Sequence, residues 1–328
     1  MRQDFCLCCN DKYVPYAAVT IKSVIANSSK EDEVHIHILS DFISKRNQTR
    51  LTKLCNDNIY IHIRIVSDTT IIKGLVTGVW SIYTWYRLLL PDLLEKDIHR
   101  VLYLDCDVLI NDNVQSLFTI DLSGKTIAAC IDTQAYNKDG RMRLGYDYYM
   151  NYVCAGVLLI NLDKWREEKT HEKIIAFAKA NSELLQFPDQ DAINVICQND
   201  KILLSPRYGV LVTYFTNSDF IRQYLGEIEG IFDNPAIIHY AGYQPWVFEK
   251  NKSPHSSLWW KTYCSLRSFP EVLIHYCESI IKYYVKWFLK VTGIFGFNSK
   301  YSTAKYYSHP RITKKHLSLT INKIQAQP

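Results

Sequence analysis

The first two thirds of the chain alternate apolar strand signals with helical ones, and this alternation restricts the fold more than any other feature. Residues 5–9, 34–39, 59–66, 100–104, 127–131 and 156–160 read as short strands, and 59–66 alternates apolar and polar side chains at period two. Between them, 13–27, 44–55, 80–90, 163–180 and 189–197 carry apolar residues at helical spacing. Ser44 is placed to cap the second of these helices, and Pro91 to end the third. Repeated βα units bury their strands in a mostly parallel sheet covered by helices on both faces, so the fold class is α/β. At 328 residues and 48% hydrophobic content the chain can fill one large core, which excludes a disordered or fibrous protein.

In such a sheet, ligands bind beyond the carboxyl ends of the strands. Two polar pairs follow strands there: Asn10-Asp11, and Asp105 with Asp107 after Val101-Leu-Tyr-Leu104. Two carboxylates one residue apart at a strand's end offer hard oxygen ligands to a divalent cation, whose remaining positions a bound diphosphate can fill. A lone Asp-x-Asp also occurs as solvated loop acids; the apolar strand that delivers this one favours the cation. His239 closes a short apolar run before a small-residue turn, within Pro235-Ala-Ile-Ile-His-Tyr-Ala-Gly-Tyr-Gln-Pro-Trp246. It reads either as a hydrogen-bonded structural histidine or as a third ligand, and an imidazole donor suits Mn²⁺ better than Mg²⁺. Gly242, in the turn, leaves backbone N–H groups open to a phosphate.

Compartment and partners follow from the cysteines and the charge. Six of the ten cysteines (Cys6, Cys8, Cys9, Cys106, Cys130 and Cys154) lie in apolar runs without zinc-type spacing, and read as reduced core thiols. The N-terminus lacks a charged region followed by a long apolar stretch, so a secretory signal is not expected and a cytoplasmic location is. No uncharged run of membrane-spanning length occurs. Residues 251–328 hold twelve Lys/Arg against two acids, a net of +10, so in a chain of net +5 the first 250 residues sum to −5. Within that basic region 271–290 reads as a helix with Leu273, Cys277, Ile281, Tyr284 and Phe288 along one stripe and Glu278, Lys282, Lys286 and Lys290 along another. Tyr283, Tyr284, Trp287, Phe288, Phe295, Phe297, Tyr301, Tyr306 and Tyr307 interleave with its lysines. Such a segment suits an anionic membrane surface. The solvated face of a docked helix is the other reading, and nucleic acid is disfavoured because the body is acidic. The expected organisation is a catalytic domain over 1–250 and a membrane-association region over 251–328, peripheral on the inner face of the cell membrane.

Six ordered blocks carry a resemblance to a known family: Cys8-Cys-Asn-Asp-Lys-Tyr13, Tyr86-Arg-Leu88, Val101-Leu-Tyr-Leu-Asp-Cys-Asp-Val-Leu109, Ala155-Gly-Val-Leu-Leu-Ile-Asn-Leu162, Pro188-Asp-Gln-Asp191 and His239-Tyr-Ala-Gly-Tyr-Gln-Pro-Trp246. From about residue 4 to residue 250 the chain resembles glycosyltransferase family 8, retaining nucleotide-sugar enzymes that include bacterial lipopolysaccharide galactosyl- and glucosyltransferases. The resemblance implies a GT-A fold, a UDP-hexose donor, Mn²⁺ (with Mg²⁺ as the alternative) and an oligosaccharide or glycolipid acceptor. It implies that Asp105, Asp107 and His239 hold the metal against the diphosphate, and that Cys8, Asn10, Tyr13 and Cys106 line the nucleotide pocket. Arg87 would approach sugar and diphosphate, and Gly242 and Gln244 the phosphate. Asp132, Asp189 and Gln190 would surround the hexose, with Gln190 near the anomeric carbon.

Three positions depart from the family pattern. Asn10 stands where many members have Asp, Cys154 where an Asn usually precedes Ala-Gly-Val, and Gln244 where a Lys neutralises phosphate. A non-catalytic sugar-nucleotide-binding protein on the same fold is therefore the rival expectation, against which the intact Asp105/Asp107/His239 set argues.

Overall fold

The structure, a computed structural model, describes residues 1–145, 152–251, 253–266, 269–292 and 312–326. The chain divides into two compact units, Met1–Val210 with Glu229–His239, and Leu211–Ile228 with Tyr240–Pro328.

The first unit is built on β1 (Arg2–Cys8), α1 (Val14–Asn27), β2 (Glu33–Ser40), α2 (Lys45–Thr52), β3 (Ile59–Ile65), α3 (Leu90–Leu93), β4 (Arg100–Leu104) and β5 (Val108–Ile110). It continues through β6 (Ile127–Ile131), α4 (Lys138–Arg143), β7 (Val153–Asn161), α5 (Leu162–Glu167), α6 (Thr170–Ala180), α7 (Pro188–Ile196) and β8 (Lys201–Leu203). Seven strands form one sheet in the order β3-β2-β1-β4-β7-β6-β8. β1 pairs in parallel with β2 and β4, β2 with β3, and β6 with β8, whereas β7 runs antiparallel to both β4 and β6. The strands of the middle are apolar at nearly every position because both sheet faces are covered: β6 is buried throughout, and β7 is buried from Val153 to Ile160.

All six expected strands are present, but the expected reading differs from the structure in three places. Residues 80–90 are not an α-helix: Ile82–Leu89 is a 3-10 helix, and Pro91 lies in the first turn of α3 instead of ending a helix. Proline lacks an N–H that the first turn does not use, so it starts helices as readily as it stops them. The single helix expected over 163–180 is broken into α5 and α6 at Lys169, whose φ of 53° is left-handed. The strand expected over 156–160 begins at Val153, three residues earlier, and as β7 is the one reversed strand of the seven.

Beyond β4 the chain turns at once into β5, which pairs antiparallel with β10 (Ile237–His239), the strand following β9 (Val210–Leu211), α8 (Ser218–Gln223) and α9 (Ile228–Asp233). On its other edge β5 meets polar side chains from one face of α1. Thr20 Oγ1 donates to the carbonyls of Cys106 (3.2 Å) and Val108 (2.7 Å), Ser23 Oγ accepts from Ile110 N (2.9 Å), and Asn27 Nδ2 donates to Ile110 O (3.0 Å).

In the second unit, aromatic side chains make the core. Trp246 and Trp259 lie 4.9 Å apart by ring centroid, Trp259 stacks on Tyr263, and Tyr214 stacks on Phe220 at 4.0 Å. The helices are α10 (Ser256–Leu266), α11 (Pro270–Thr292) and the segment Lys314–Gln325, which Thr313 caps. Phe248 packs against Tyr276 and Tyr283 of α11. Leu273, Cys277, Ile281, Tyr284 and Phe288, the apolar stripe of the sequence, are all exposed. The Lys290 side chain and Phe295, Phe297, Tyr301, Tyr306 and Tyr307 lie outside the described residues. Among the described residues no helix is long and apolar enough to cross a membrane.

Far from the carboxyl ends of the strands, β2 and β3 carry a row of imidazoles. His35 Nδ1 lies 2.9 Å from His62 Nε2, and His37 Nε2 lies 3.0 Å from Asp4 Oδ1 while its Nδ1 accepts from Arg64. Burial lowers the pKa of His37 despite Asp4, and burial followed by the neighbouring His37 and His35 lowers that of His62. A histidine held below its unfolded value of about 6.5 stabilises the fold above that pH, and the stabilisation is lost as pH falls toward the folded value. As pH is lowered through about 6.5, the thermal midpoint of the wild type should therefore fall relative to that of His62→Gln, as followed by circular dichroism; an unchanged difference between the two proteins would refute this origin.

Candidate active site

The register of the small sheet brings the candidate metal ligands together. β10 pairs with β5 so that His239 stands opposite Val108, one residue past Asp107. His239 Nε2 lies 3.2 Å from Asp107 Oδ1 and 3.6 Å from Asp105 Oδ2, and one donor atom from each of the three lies within 4.8 Å of the others. The turn between β4 and β5 is held by Val108 N donating to Asp105 O (3.2 Å), and Asp105 N donates to Gly156 O (2.9 Å). Gly156 is also the floor under the imidazole: a Cβ there would stand 2.1 Å from His239 Cε1. On the far side of the ring, His239 Nδ1 lies 3.4 Å from Cys154 Sγ. Burial would lower the His239 pKa, but Cys154 and Asp107 outweigh it and raise it well above the ordinary value. Two carboxylates and a ring nitrogen directed at one point fit a divalent cation, which would take the place of that proton between the same atoms.

Arg87, at the end of the 3-10 helix, joins this group to the next. Its guanidinium is 2% exposed. Nε donates to Thr84 O (2.9 Å), Nη1 to Ala155 O, and Nη2 to Asp105 Oδ1 (3.0 Å), with Asp189 Oδ2 3.3 Å away. The Tyr103 ring lies under it at 4.0 Å, and the Tyr103 hydroxyl donates to the same Asp105 oxygen at 2.7 Å. Burial pushes the Asp189 pKa up to about 6, Arg87 opposing and Asp105 adding to the shift.

Asp132, at the end of β6, and Gln190, in the first turn of α7, form the third group. Gln190 Nε2 donates to Asp132 Oδ2 (3.2 Å) and to the Tyr152 hydroxyl (3.2 Å), and its Oε1 accepts from Ala155 N (2.9 Å). Burial raises the Asp132 pKa against the opposing bonds from Gln134 N–H, Gln190 and Cys154. Asn194 pins α7 to β7 by exchanging two bonds with the Val153 backbone, at 2.7 and 2.8 Å.

On the β1 side, Asn10 Oδ1 caps Tyr13 N at 3.0 Å, which leaves the Tyr13 ring 41% exposed against Tyr16. Cys8 is buried, and its carbonyl lies 3.7 Å from Cys106 Sγ. Asp11, by contrast, is consumed by Ser44 N and Asn47 Nδ2, both 2.8 Å away. The first unit thus assembles Cys8, Asn10, Tyr13, Arg87, Asp105, Cys106, Asp107, Asp132, Asp189, Gln190 and His239 beyond the carboxyl ends of β1, β4 and β6. Gly242, with φ of +73°, and Gln244 follow β10 within the second unit.

The sequence matches the Glycosyl transferase family 8 model over residues 5–250. The chain belongs to this family. A Haemophilus influenzae relative is 31% identical over 206 residues, 61% of each chain. A lipopolysaccharide 1,2-glucosyltransferase of Escherichia coli is 26% identical over 247 residues, covering 72% of this chain and 71% of that one. Among solved structures, the galactosyltransferase LgtC in complex with donor and acceptor sugar analogues superposes with a TM-score of 0.70 at 25% identity, over 80% of this chain and 96% of that one. The sheet with its one reversed strand is the GT-A fold, and the protein is a glycosyltransferase of family 8.

Several residues of the site escaped sequence reasoning. Gly156 was visible only as part of an apolar block, because the ring it accommodates comes from a strand 83 positions later. Tyr103 reads as one more strand apolar residue, and Thr20 as a polar interruption of an apolar helix; both hold the Asp105–Asp107 turn. Gly156→Ala should therefore displace His239. Overpacking of this kind costs about 1–3 kcal/mol, so the variant should melt lower and lose cation binding in a Mn²⁺ titration. Unchanged melting and binding would show that the ring has room to move.

Proposed function

We propose that this enzyme transfers a hexose from UDP-glucose or UDP-galactose to a saccharide acceptor, carried on a lipid, in lipopolysaccharide, O-antigen or capsule synthesis, with retention at the anomeric carbon. The observation that carries the reading is the convergence of Asp105, Asp107 and His239 beside the buried Arg87 and Asp189 and the half-buried Asp132 and Gln190. Asp105, Asp107 and His239 would hold Mn²⁺, with Mg²⁺ as the substitute, and the bound ion would neutralise the diphosphate as a Lewis acid while UDP leaves. Cys8, Asn10, Tyr13 and Cys106 bind the uridine, Tyr13 offering its exposed ring to uracil. Gly242 and Gln244 contact the phosphates, and Arg87 directs its charge to sugar and diphosphate.

Asp132, Asp189 and Gln190 orient the hexose. The two sides of the Gln190 amide are already engaged by Ala155 N–H and by Asp132 with Tyr152, and one Asp189 oxygen is held by Arg87. An amide is a poor nucleophile in any case. These contacts favour a same-face displacement, in which the acceptor attacks as UDP departs and a phosphate oxygen of the donor takes the acceptor's proton. The names of the relatives support a hexose donor. Asp105→Ala or Asp107→Ala should lower turnover by about 10²–10³-fold, the several kcal/mol that metal stabilisation of a leaving group supplies. UDP release from UDP-glucose and UDP-galactose, with and without EDTA, measures it. Full turnover in excess EDTA would refute the metal assignment, and saturable binding without release would favour the non-catalytic reading.

Residues 1–250 serve as the catalytic domain and 251–328 as a peripheral attachment to the inner membrane face. On α11, Leu273, Ile274, Ile281, Tyr284, Val285, Trp287 and Phe288 are each more than half exposed, and the lysines Lys282 and Lys286 are exposed beside them. Exposed aliphatic and aromatic side chains among lysines match the boundary of an anionic bilayer. Each lysine near such a surface is worth about 1 kcal/mol and is screened by salt. Removal of 271–328 should leave donor hydrolysis intact and abolish sedimentation with anionic liposomes at low salt. Equal sedimentation of both proteins would overturn the membrane role.

A further inference from the structure

The Cys154 side chain stands directly behind the ring of a residue that the chemistry needs, His239. Its sulfur is 3.4 Å from His239 Nδ1. The residue is buried at the start of β7, whose next two positions are also engaged: Ala155 O accepts from Arg87 and Ala155 N donates to Gln190, while Gly156 carries the imidazole. We infer that Cys154 is a positioning residue that sets the orientation of the His239 ring.

The inference rests on the proposed cation site. With Nε2 turned toward Asp105 and Asp107, the ring proton belongs on Nδ1, where Cys154 Sγ is the acceptor. Histidines that ligate metals almost always donate this second N–H, and the partner fixes tautomer and ring angle. Here the partner is sulfur, a weak acceptor. The amide expected at this position would reach the substrate directly; the thiol instead turns its bonding inward, onto the protein's own residues.

The test is direct Mn²⁺ binding to the full-length chain, followed by electron paramagnetic resonance of free Mn²⁺, alongside the ¹⁵N resonances of the His239 ring without added metal. Cys154→Ala should weaken binding by about tenfold or more, the range for loss of a partner behind a metal ligand. It should also shift the Nδ1 resonance of His239. Cys154→Ser, which keeps one donor and one acceptor, should restore both readouts. Binding and Nδ1 resonance unchanged in Cys154→Ala, while His239→Ala loses the ion, would overturn the inference and leave the cation site standing. Wild-type Mn²⁺ binding in both His239→Ala and Asp107→Ala would remove the cation site, and the inference with it.

Discussion

Most of the site hangs on one buried cation. Arg87 donates to a carbonyl of its own 3-10 helix and a carbonyl of β7, and pairs with carboxylates from the β4–β5 turn and the start of α7. A guanidinium presents donors in a fixed planar fork, so satisfying all of them dictates the relative positions of four chain segments. Its positive charge also permits Asp105 and Asp189 to lie close together in a poorly solvated place. Removing one partner of such a pair leaves an uncompensated charge, which costs about 3–5 kcal/mol. Arg87 is therefore as much a framework residue as a substrate contact.

The reversed strand is the second constraint. Parallel strands present their carboxyl ends to a ligand, whereas β7 presents its beginning. Cys154, Ala155 and Gly156 are thus placed beside the ends of β4 and β6, and they contribute a side chain, a peptide unit and an empty space in that order. Gly156 has an ordinary negative φ; what it supplies is the absence of a methyl group where an imidazole must lie.

The central strands were legible because their apolar runs are continuous, as buried sheets require, β3 because apolar and polar residues alternate along it, and the Asp105–Asp107 turn because an apolar strand leads straight into it. Residues 80–90 misled because their apolar spacing fits helices of either pitch, and the tighter turn is chosen by where Arg87 must end. The break at Lys169 has no glycine to announce it. Asp189 and Gln190 could be placed from the family blocks, but their partners could not: Tyr152 and Ala155 acquire their roles only when β7 lies against α7. The exposed stripe of α11 shows the reverse limit, since periodicity marks an apolar face without saying what covers it.

The row Thr20, Ser23 and Asn27 on α1 occupies the place where β5 would otherwise meet another strand. Each hydroxyl or amide takes up a backbone group that an exposed strand edge would offer to any extended peptide. The helix thereby caps the β5 edge of the small sheet, and β10 pairs with the other side of β5. Apolar replacements at Ser23 and Asn27 would leave the bonds to the Asp105–Asp107 turn in place, yet strand the backbone groups of Ile110. Thr20, which steadies the cation turn, thus also works with Ser23 and Asn27 to occupy a strand edge that could otherwise accept another strand.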